Sequence, residues 1–309
     1  MAPRVYSGAL LLEKPLSSSV VTLGTFDGVH RGHRQLVEKA LAAAKAKETL
    51  SVAYTFDPHP ATVLAPSKAP RLLLSIEDRV RYLSDLGIDI VVVEPFTAAF
   101  AQIEASRWLK DYLLKQLRPQ HVVVGFNFSY GHQRGGNPQR LQEAGEVEGY
   151  STEIVSAYAA EGEVVSSTRI RGLVAAGKVT EAARLLERPF CVSGQVIKGD
   201  QRGRTVGFPT ANFQAPVTMT PPYGVYAVYV VLPDGRRMPG VMNYGSRPTV
   251  DGHSELFEAH IFDFEETIYG EHIEVELHAR IREEQKFSGV DELIQQIAAD
   301  AKSAREILS

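Results

Sequence analysis

Two histidines three residues apart, His30 and His33, lie in the segment GTFDGVHRGH at residues 24–33. The apolar run VVTL at 20–23 precedes the segment and a helical pattern follows, which predicts a turn from a buried strand into a helix. Unpaired N–H groups at a helix mouth suit phosphate, and Gly24 and Gly28 let the backbone approach an anion. On one face of the first turn, the two imidazoles could stabilise charge on a phosphorus atom under attack. An isolated HxxH could instead be a surface pair or a fortuitous metal pair. The phosphate site is favoured here because a strand, glycines and a helix flank the two histidines.

A second candidate phosphate site lies in GQVIKGDQRGRTVGFPTANF, residues 194–213. Its glycines would permit a flap to close over phosphates, and Thr210 and Asn212 offer oxygens to a hard cation such as Mg²⁺. A glycine-rich hairpin followed by a turn is the structural alternative. Further along, Glu258 in FEAHIFDF could accept the proton of a substrate hydroxyl in a kinase reaction, or could simply lie on a solvated strand face.

Two further segments follow strands. GFNFSYG at 125–131 carries Asn127 as its polar candidate, and SSTRIR at 166–171 opens a helix. Alone, SSTRIR is typical of a Ser/Thr helix cap with solvated arginines. In a parallel sheet, however, segments at the carboxyl ends of strands meet at one edge, so we expect both to approach the histidines.

The elements that must position the first site alternate between strands and helices. Apolar β-rich runs begin at 20, 51, 88, 121 and 151, and helical patterns separate them, one with a capping box of Ser75 and Asp78. Strands that are apolar on both faces predict an α/β fold with a doubly wound, Rossmann-like parallel sheet. A further helical stretch at 168–189 follows the sheet.

The pattern changes at Pro189. The runs GVYAVYVVL at 224 and HIEVELHARIR at 272, with a DG turn at 234, indicate antiparallel strands. We expect a small antiparallel β-barrel or sandwich, closed by a terminal helix at 290–308 that begins with a capping box of Ser288 and Asp291 and buries a stripe starting at Val290. The predicted domains are 1–186 and 187–309.

Composition excludes several classes of protein. The 309 residues carry a formal charge of −4, which argues against a general nucleic-acid or anionic-membrane partner. A single cysteine, Cys191, excludes an intramolecular disulfide and fits a reducing cytoplasm. Neither a signal-peptide core nor an apolar run of ~20 residues is apparent, so we expect a cytoplasmic protein. The oligomeric state stays open between a monomer and a weak homo-oligomer.

The motifs FDGxHxGH, SSTRIR and GRxxGFPTAN together resemble the bacterial bifunctional riboflavin kinase/FMN adenylyltransferase (FAD synthetase) family, over nearly the whole chain. The resemblance implies an N-terminal HxGH nucleotidyltransferase domain and a C-terminal β-barrel of the riboflavin kinase type. It also implies that ATP serves both reactions: with Mg²⁺ it converts riboflavin to FMN in the second domain, and it converts FMN to FAD plus pyrophosphate in the first.

The resemblance also assigns roles. It implies that His30 and His33 contact the ATP phosphates and the transition state, and that Glu258 is the base for the 5′-hydroxyl of riboflavin. The implied nucleotide-binding and flavin-binding residues of the first domain are Gly24, Phe26, Asp27, Gly28, Asn127, Ser167, Thr168 and Arg171. Those of the second domain are Lys198, Gly199, Gly203, Arg204, Gly207, Thr210 and Asn212, of which Thr210 and Asn212 hold the metal.

Two other hypotheses stay open at this point. A single-activity enzyme with one degenerate module would lack motif residues, and none is missing. A non-catalytic flavin or nucleotide sensor would bind without turnover, which separation of the flavin products would decide.

Overall fold

A computed structural model describes residues 4–160, 162–199, 207–215, 218–249 and 252–309. The chain divides into two compact units, Met1–Ser167 and Thr168–Ser309. The first is the α/β unit and the second is the β-barrel unit, as the sequence predicts.

The first unit is built on a parallel sheet of six strands in the order β1-β4-β3-β2-β5-β6. The strands are β1 (Arg4–Tyr6), β2 (Ser19–Leu23), β3 (Leu50–Asp57), β4 (Ile90–Pro95), β5 (Pro119–Gly125) and β6 (Ser151–Val155). Alternate residues of β2 enter different cores: Val20 packs with one layer of helices and Val21 with the other. The sheet is therefore covered on both faces, which explains why its strands are apolar on both sides. The edge strand β1 has no counterpart in the sequence prediction.

Helices and short turns connect these strands. The α-helices are α1 (Arg31–Ala46), α2 (Pro60–Leu64), α3 (Ile76–Asp85), α4 (Ala105–Trp108) and α5 (Pro138–Glu148), and a wider helical segment, Leu109–Leu117, continues α4. Single turns of 3-10 helix occur at Ala9–Leu11, Pro66–Lys68, Phe100–Gln102 and His132–Arg134, and Ala159–Ala160 pairs with Glu163–Val164 as β7 and β8. The Ser75 side chain accepts a hydrogen bond from the Asp78 backbone N–H, so the predicted cap of α3 is confirmed.

Strand order reverses between β2 and β5. The chain adds β3 and β4 on one side of β2 and then crosses to place β5 on the other side. Ligands of doubly wound sheets bind beyond the carboxyl ends of the strands at such a reversal. Here those ends lead into GTFDGVHRGH and GFNFSYG, so the fold directs both segments to the expected ligand-binding edge.

The second unit is a closed antiparallel barrel with the strand order β10-β13-β12-β11-β14-β9. Its strands are β9 (Phe190–Ile197), β10 (Ala211–Phe213), β11 (Gly224–Val231), β12 (Arg237–Thr249), β13 (Gly252–Ile261) and β14 (His272–Glu283). One interior row joins Phe213, Phe257 and Tyr244, whose rings stack in sequence along adjacent strands. Residues one position away on each strand, including Asn212 and Glu258, therefore face outward.

Three helices accompany the barrel: α6 (Ser167–Ala175), α7 (Val179–Leu186) and α8 (Val290–Leu308). The sequence predicts one helical stretch at 168–189, but Gly177 adopts a positive φ of +74° between α6 and α7 and separates them. The predicted cap of α8 is also wrong. Ser288 donates through its backbone N–H and its hydroxyl to the Glu292 carboxylate, and Gly289 occupies the N-cap position.

Helix α8 packs on β11, β12 and β14. Its buried positions are Asp300 and Ala304, whereas Val290 is 62% exposed, so the predicted apolar stripe begins later in the helix. Arg282 and Asp300 form a bidentate ion pair between β14 and α8, at 2.7–3.0 Å. This pair anchors the helix to the outer face of the barrel, because neither partner is well solvated.

The units and the predicted domains divide the chain at different points. Helix α7 packs on β9 and β14, which places it with the barrel, whereas the sequence prediction puts the boundary after residue 186. The division into functional modules at 186/187 stays a prediction. Within the part of the chain that the structure covers, no helix combines the length and apolar character that crossing a bilayer requires.

Candidate active sites

The first candidate site is the loop between β2 and α1, residues 24–30, which we call the histidine loop. Gly24 extends the sheet by donating its N–H to the Tyr54 carbonyl oxygen at 3.1 Å, and the Phe26 ring packs against its Cα side. Phe26 and Val29 both have positive φ angles, and Gly28 has φ of +90°. Such a run of left-handed residues turns the chain sharply, and glycine is required where the angle is most extreme. The loop thus delivers His30 to the mouth of α1.

His30 and His33 lie together at that mouth. Their ring centroids are 3.7 Å apart and their planes differ by 13°, so the rings are stacked. His30 is the N-cap of α1: its Nδ1 accepts the backbone N–H of His33 at 3.3 Å. Because Nδ1 accepts, the proton of a neutral His30 ring is carried by Nε2. Gly32 permits the approach, since the His30 ring lies 3.3 Å from where a Cβ would stand.

The environment of His33 favours its neutral form. The residue is half-buried, but its Nδ1 is shielded from solvent and has no hydrogen-bond partner among the described residues. Burial, the neighbouring His30 ring and the positive charge of Arg79 lower the pKa of His33 well below its ordinary value of 6.5. At neutral pH, His33 is therefore an uncharged imidazole.

Asp27 anchors the loop to the backbone of residues 73 and 74. It is 1% exposed, and one of its carboxylate oxygens accepts the backbone N–H groups of Leu73 and Leu74 at 2.9 and 3.3 Å. Its own carbonyl oxygen accepts from the Ser167 hydroxyl at 2.8 Å. The structure thus brings Ser167 to the histidine loop, as predicted, although it shows Asp27 in a supporting position. Thr168 and Arg171 follow on α6 in the second compact unit, the former exposed and the latter half-buried.

The segment after β5 is partly open to solvent. Asn127 is exposed, and its Oδ1 folds back toward Gly125 at the end of the strand. Phe126 is 53% exposed, whereas Tyr130 is buried against Trp108 with ring centroids 4.9 Å apart. The loop therefore has a fixed base at Tyr130 and an accessible tip at Phe126 and Asn127.

Sequence reasoning missed one charged residue of this site. Arg79 on α3 is completely buried, and its Nη1 donates to the Phe56 carbonyl oxygen at the carboxyl end of β3 at 2.9 Å. An arginine on the same stripe as Ile76 and Leu83 was the available signal, because a charge at an apolar position of an amphipathic helix needs a reason.

The second candidate site lies where β9 leads toward β10. Asn212 is 4% exposed, and its side-chain Nδ2 donates to the Thr210 carbonyl oxygen at 3.2 Å, with the Thr210 hydroxyl 3.4 Å away. A Cβ on Gly199 would lie 2.6 Å from the Asn212 amide, so only glycine leaves the amide its place. The structure thus brings together three of the predicted residues. Lys198 and Gly207 are exposed beside them, and Gly203 and Arg204 lie outside the described residues.

Glu258 belongs to the same outward-facing row. In the strand register it is opposite Asn212 on β10 and opposite Asn243 on β12. Glu258 and Asn243 are half-buried, and Val225, next in the row on β11, packs in the cluster under α8. The Glu258 carboxylate is therefore on the side of the barrel that bears α8, on the strand adjacent to the one that carries the Asn212 amide.

His260 supports this site from the next outward position of β13. Its Nδ1 lies 2.8 Å from the Pro209 carbonyl oxygen, and its ring makes an edge contact with Phe208. A carbonyl only accepts, so the Nδ1 must carry a proton. This hydrogen bond joins β13 to the residues immediately before Thr210.

A cavity of about 370 Å³ opens beside Thr210 at one end of the barrel. Small interior side chains, Ala211 and Ala259, leave the space, and residues 264–269 form its outer wall. Among the described residues, no group of three or more His, Cys, Asp or Glu side chains could hold a metal ion.

The two units match two different family models. The model described as FAD synthetase covers residues 12–169, and the model described as riboflavin kinase covers residues 186–308. The fold and the two sites thus define a two-module protein that joins these families on one chain.

Whole-length relatives share the same arrangement. The chain is 39% identical to the bifunctional riboflavin kinase/FMN adenylyltransferase of Escherichia coli strain K12, over 96% of this chain and 95% of the relative. It is 36% identical to that of Bacillus subtilis strain 168, over 95% and 94%. A crystal structure described as a macrolide-efflux protein from Streptococcus pneumoniae superposes with a TM-score of 0.88, at 33% identity over 99% of both chains. This chain belongs to the bifunctional riboflavin kinase/FMN adenylyltransferase family.

Proposed function

We propose that the chain carries out two successive phosphorus transfers. The C-terminal module phosphorylates riboflavin to FMN with ATP, and the N-terminal module transfers AMP from a second ATP to FMN, giving FAD and pyrophosphate. The observation that carries this proposal is that GTFDGVHRGH follows β2 in the unit matched by the FAD synthetase model, and that GFPTAN, residues 207–212, leads into β10 in the unit matched by the riboflavin kinase model. FMN is the product of one module and the substrate of the other, so both activities on one chain form a sequence.

In adenylyl transfer, a phosphate oxygen of FMN attacks the α-phosphorus of ATP. The new P–O bond forms as the bond to the β-phosphate bridging oxygen breaks, and pyrophosphate leaves with that electron pair. We assign to His30 Nε2 and to His33 the stabilisation of charge that builds on the α-phosphate. The stacked rings and the N-terminus of α1 present donors to one region, which supports this role. We assign the shaping of the nucleotide-binding turn to Phe26, Asp27 and Gly28, and a flavin or adenine contact to Asn127. We assign phosphate contacts to Gly24, Ser167, Thr168 and Arg171.

In riboflavin phosphorylation, the 5′-hydroxyl oxygen attacks the γ-phosphorus of ATP and ADP leaves. We assign to Glu258 the acceptance of the hydroxyl proton, a role that its half-buried position beside Asn212 and Asn243 supports. The cavity beside Thr210 is lined by both apolar and polar side chains and is proposed to take the adenine base. The phosphates would then extend toward Asn212 and the glycine segment that includes Gly199.

Mg²⁺ is proposed as the metal of the kinase module. The residues present fit it, because Asn212 Oδ1 is buried without a hydrogen-bond partner in the described part of the chain and Thr210 adds a hydroxyl oxygen. Oxygen ligands suit this hard cation, which normally keeps substrate phosphates and waters as its other ligands. When bound, the ion offsets phosphate charge. Thr210 and Asn212 would hold it, and Gly199 keeps the Asn212 amide in position.

The remaining proposals concern the setting of these reactions. We expect a cytoplasmic enzyme whose partners are its small-molecule substrates, with no nucleic-acid or membrane partner, and either a monomer or a weak homo-oligomer in solution. Gel filtration with light scattering would test the last point.

Incubation with riboflavin, ATP and Mg²⁺ tests the two activities, with the flavins separated by chromatography. Accumulation of FMN followed by FAD is expected. FMN alone would indicate that only the kinase module works, and binding without turnover would indicate a sensor. A parallel incubation that starts from FMN tests the adenylyl transfer on its own.

A further inference from the structure

Arg79 is a buried cation that the proposed chemistry does not use. It is 0% exposed, and it forms two hydrogen bonds, both through Nη1: to the Phe56 carbonyl oxygen at 2.9 Å and to the Thr55 hydroxyl oxygen at 3.4 Å. Within the described part of the chain, its Nε and Nη2 atoms are buried and have no hydrogen-bond partner, and no carboxylate lies within salt-bridge distance. Burying hydrogen-bond donors without partners is unfavourable, so packing alone does not explain an arginine at this position.

The contacts of Arg79 lead to the histidine loop. Thr55, which accepts from Arg79, donates its own hydroxyl to the Thr25 carbonyl oxygen at 3.0 Å. Phe26 follows Thr25, and its ring meets the His33 ring edge-on with centroids 5.4 Å apart. A short series of contacts therefore connects the Arg79 side chain, through the end of β3, to the histidine loop.

The charge of Arg79 also acts on His33. Burial is the largest cause that makes the His33 cation unfavourable, and the His30 ring from the loop and Arg79 from α3 add to it. Burial lowers the pKa of Arg79 as well, while Asp27, Asp57 and Glu77 oppose that effect, and an arginine stays charged at any physiological pH. Arg79 thus contributes a permanent positive charge to the environment of His33.

We propose that Arg79 is a positioning residue for adenylyl transfer: it fixes the end of β3 under the histidine loop and places a permanent positive charge in the environment of His33. This inference rests on the proposed adenylyl transfer. A neutral His33 ring can stack on the His30 ring without charge repulsion. The positive charge near the rings then comes from Arg79, which does not titrate in the physiological pH range. The pair would then keep one geometry across the neutral pH range.

Two substitutions separate charge from packing. Arg79→Met keeps the length and loses the charge, whereas Arg79→Lys keeps the charge and loses the planar group. In Arg79→Met we expect FAD formation from supplied FMN to fall roughly 10²-fold in kcat. We also expect the acid limb of its pH–rate profile to move to higher pH. Arg79→Lys should keep the acid limb of the parent protein even if its rate falls. FMN formation from riboflavin by the same preparations, together with the melting temperature, controls for folding.

A second measurement does not depend on turnover. The His33 imidazole is titrated by NMR in the substrate-free full-length protein, with its signal assigned from the His33→Gln spectrum. Its pKa should be higher in Arg79→Met than in the parent, and unchanged in Arg79→Lys. Arg81→Met is the matched control, because Arg81 lies two residues away on α3 and is exposed with an ion pair to Asp78. It should leave both the titration and FAD formation unchanged.

The proposal is overturned if Arg79→Met leaves the His33 titration and the acid limb in place, or if Arg79→Lys behaves like Arg79→Met. It is also overturned if FAD formation falls only as far as the folded fraction does. Absence of FAD formation in the parent protein would reject the proposed function instead, and the titration would still decide whether Arg79 controls His33.

Discussion

Asn212 and Glu258 are directly opposite each other on adjacent strands, β10 and β13, and both face outward from the barrel. Side chains opposite each other in an antiparallel pair have Cβ atoms about 5 Å apart. The sheet therefore holds at a fixed separation the amide proposed to bind the metal and the carboxylate proposed to accept a proton. A γ-phosphate bound through Asn212 would come within reach of a hydroxyl that faces Glu258.

Glu258→Gln removes the base and keeps the shape of the side chain. We expect FMN formation from riboflavin to fall roughly 10²- to 10⁴-fold, because the amide cannot take the hydroxyl proton. FAD formation from supplied FMN should stay within about twofold, since the other module is intact. Chromatography of the flavins measures both rates in one preparation. Glu271→Gln, an exposed carboxylate in the same unit, is the control. Equal loss of both activities in a folded Glu258→Gln protein would contradict independent sites.

Gly199→Ala tests the position of the Asn212 amide. The new methyl group would stand 2.6 Å from that amide, so either the amide or the glycine segment must move. We expect the Mg²⁺ requirement of riboflavin phosphorylation to rise by roughly 10- to 100-fold in metal concentration, as when a supporting contact of a metal site is lost.

Gly172→Ala provides the matched control for that change. Its Cβ would meet nothing within 4 Å, and the residue lies inside α6. Alanine there should raise stability by up to about 1 kcal/mol and leave both activities unchanged. An unaltered Mg²⁺ titration in Gly199→Ala would show that the amide does not hold the metal.

His30 has two separable roles, as a helix cap and as a donor. His30→Asn keeps a good N-cap acceptor and loses Nε2, whereas His30→Ala loses both. We expect FAD formation to drop at least roughly 10²-fold in each variant. Only His30→Ala should also lose about 1 kcal/mol of stability in urea unfolding. FMN formation should persist in both, and full FAD formation in His30→Asn would show that the ring is needed only as a cap.

The main features of the adenylyltransferase site could be predicted from the sequence, because a strand, glycines and a helix lie next to each other in the chain. His30, His33 and Ser167 come together as expected, since parallel strands bring their carboxyl ends to one edge. Arg79 could not be placed in the same way. Its neighbours Thr55 and His33 are distant in sequence, so periodicity marks Arg79 only as a charge on the apolar stripe of the helix IEDRVRYLSD and does not identify its partners.

The errors at the second module have local physical causes. Ser288 and Asp291 match a capping box, but the Glu292 carboxylate is one residue further on and takes both the hydroxyl and the N–H of Ser288. Helix α8 begins to touch the barrel only after its first turn, so Val290 stays exposed. Barrel closure depends on β10, a strand of three residues that no periodicity argument can detect.

His33 also predicts how the protein responds to acid. In the folded protein its pKa is well below 6.5, whereas in the unfolded chain it returns to about that value. Between the folded and the unfolded pKa, the unfolded state therefore binds more protons, and stability must fall as the pH falls through 6. Above about pH 7 this contribution is complete, and the free energy of unfolding no longer changes with pH on account of His33.

We expect His33→Gln to show a weaker loss of stability below pH 6.5 than the parent protein, measured by urea unfolding of the full chain at fixed ionic strength. His272→Gln, an exposed histidine on β14, is the control and should keep the parent's pH dependence. Identical pH dependence in His33→Gln and the parent would mean that His33 titrates normally in the folded protein.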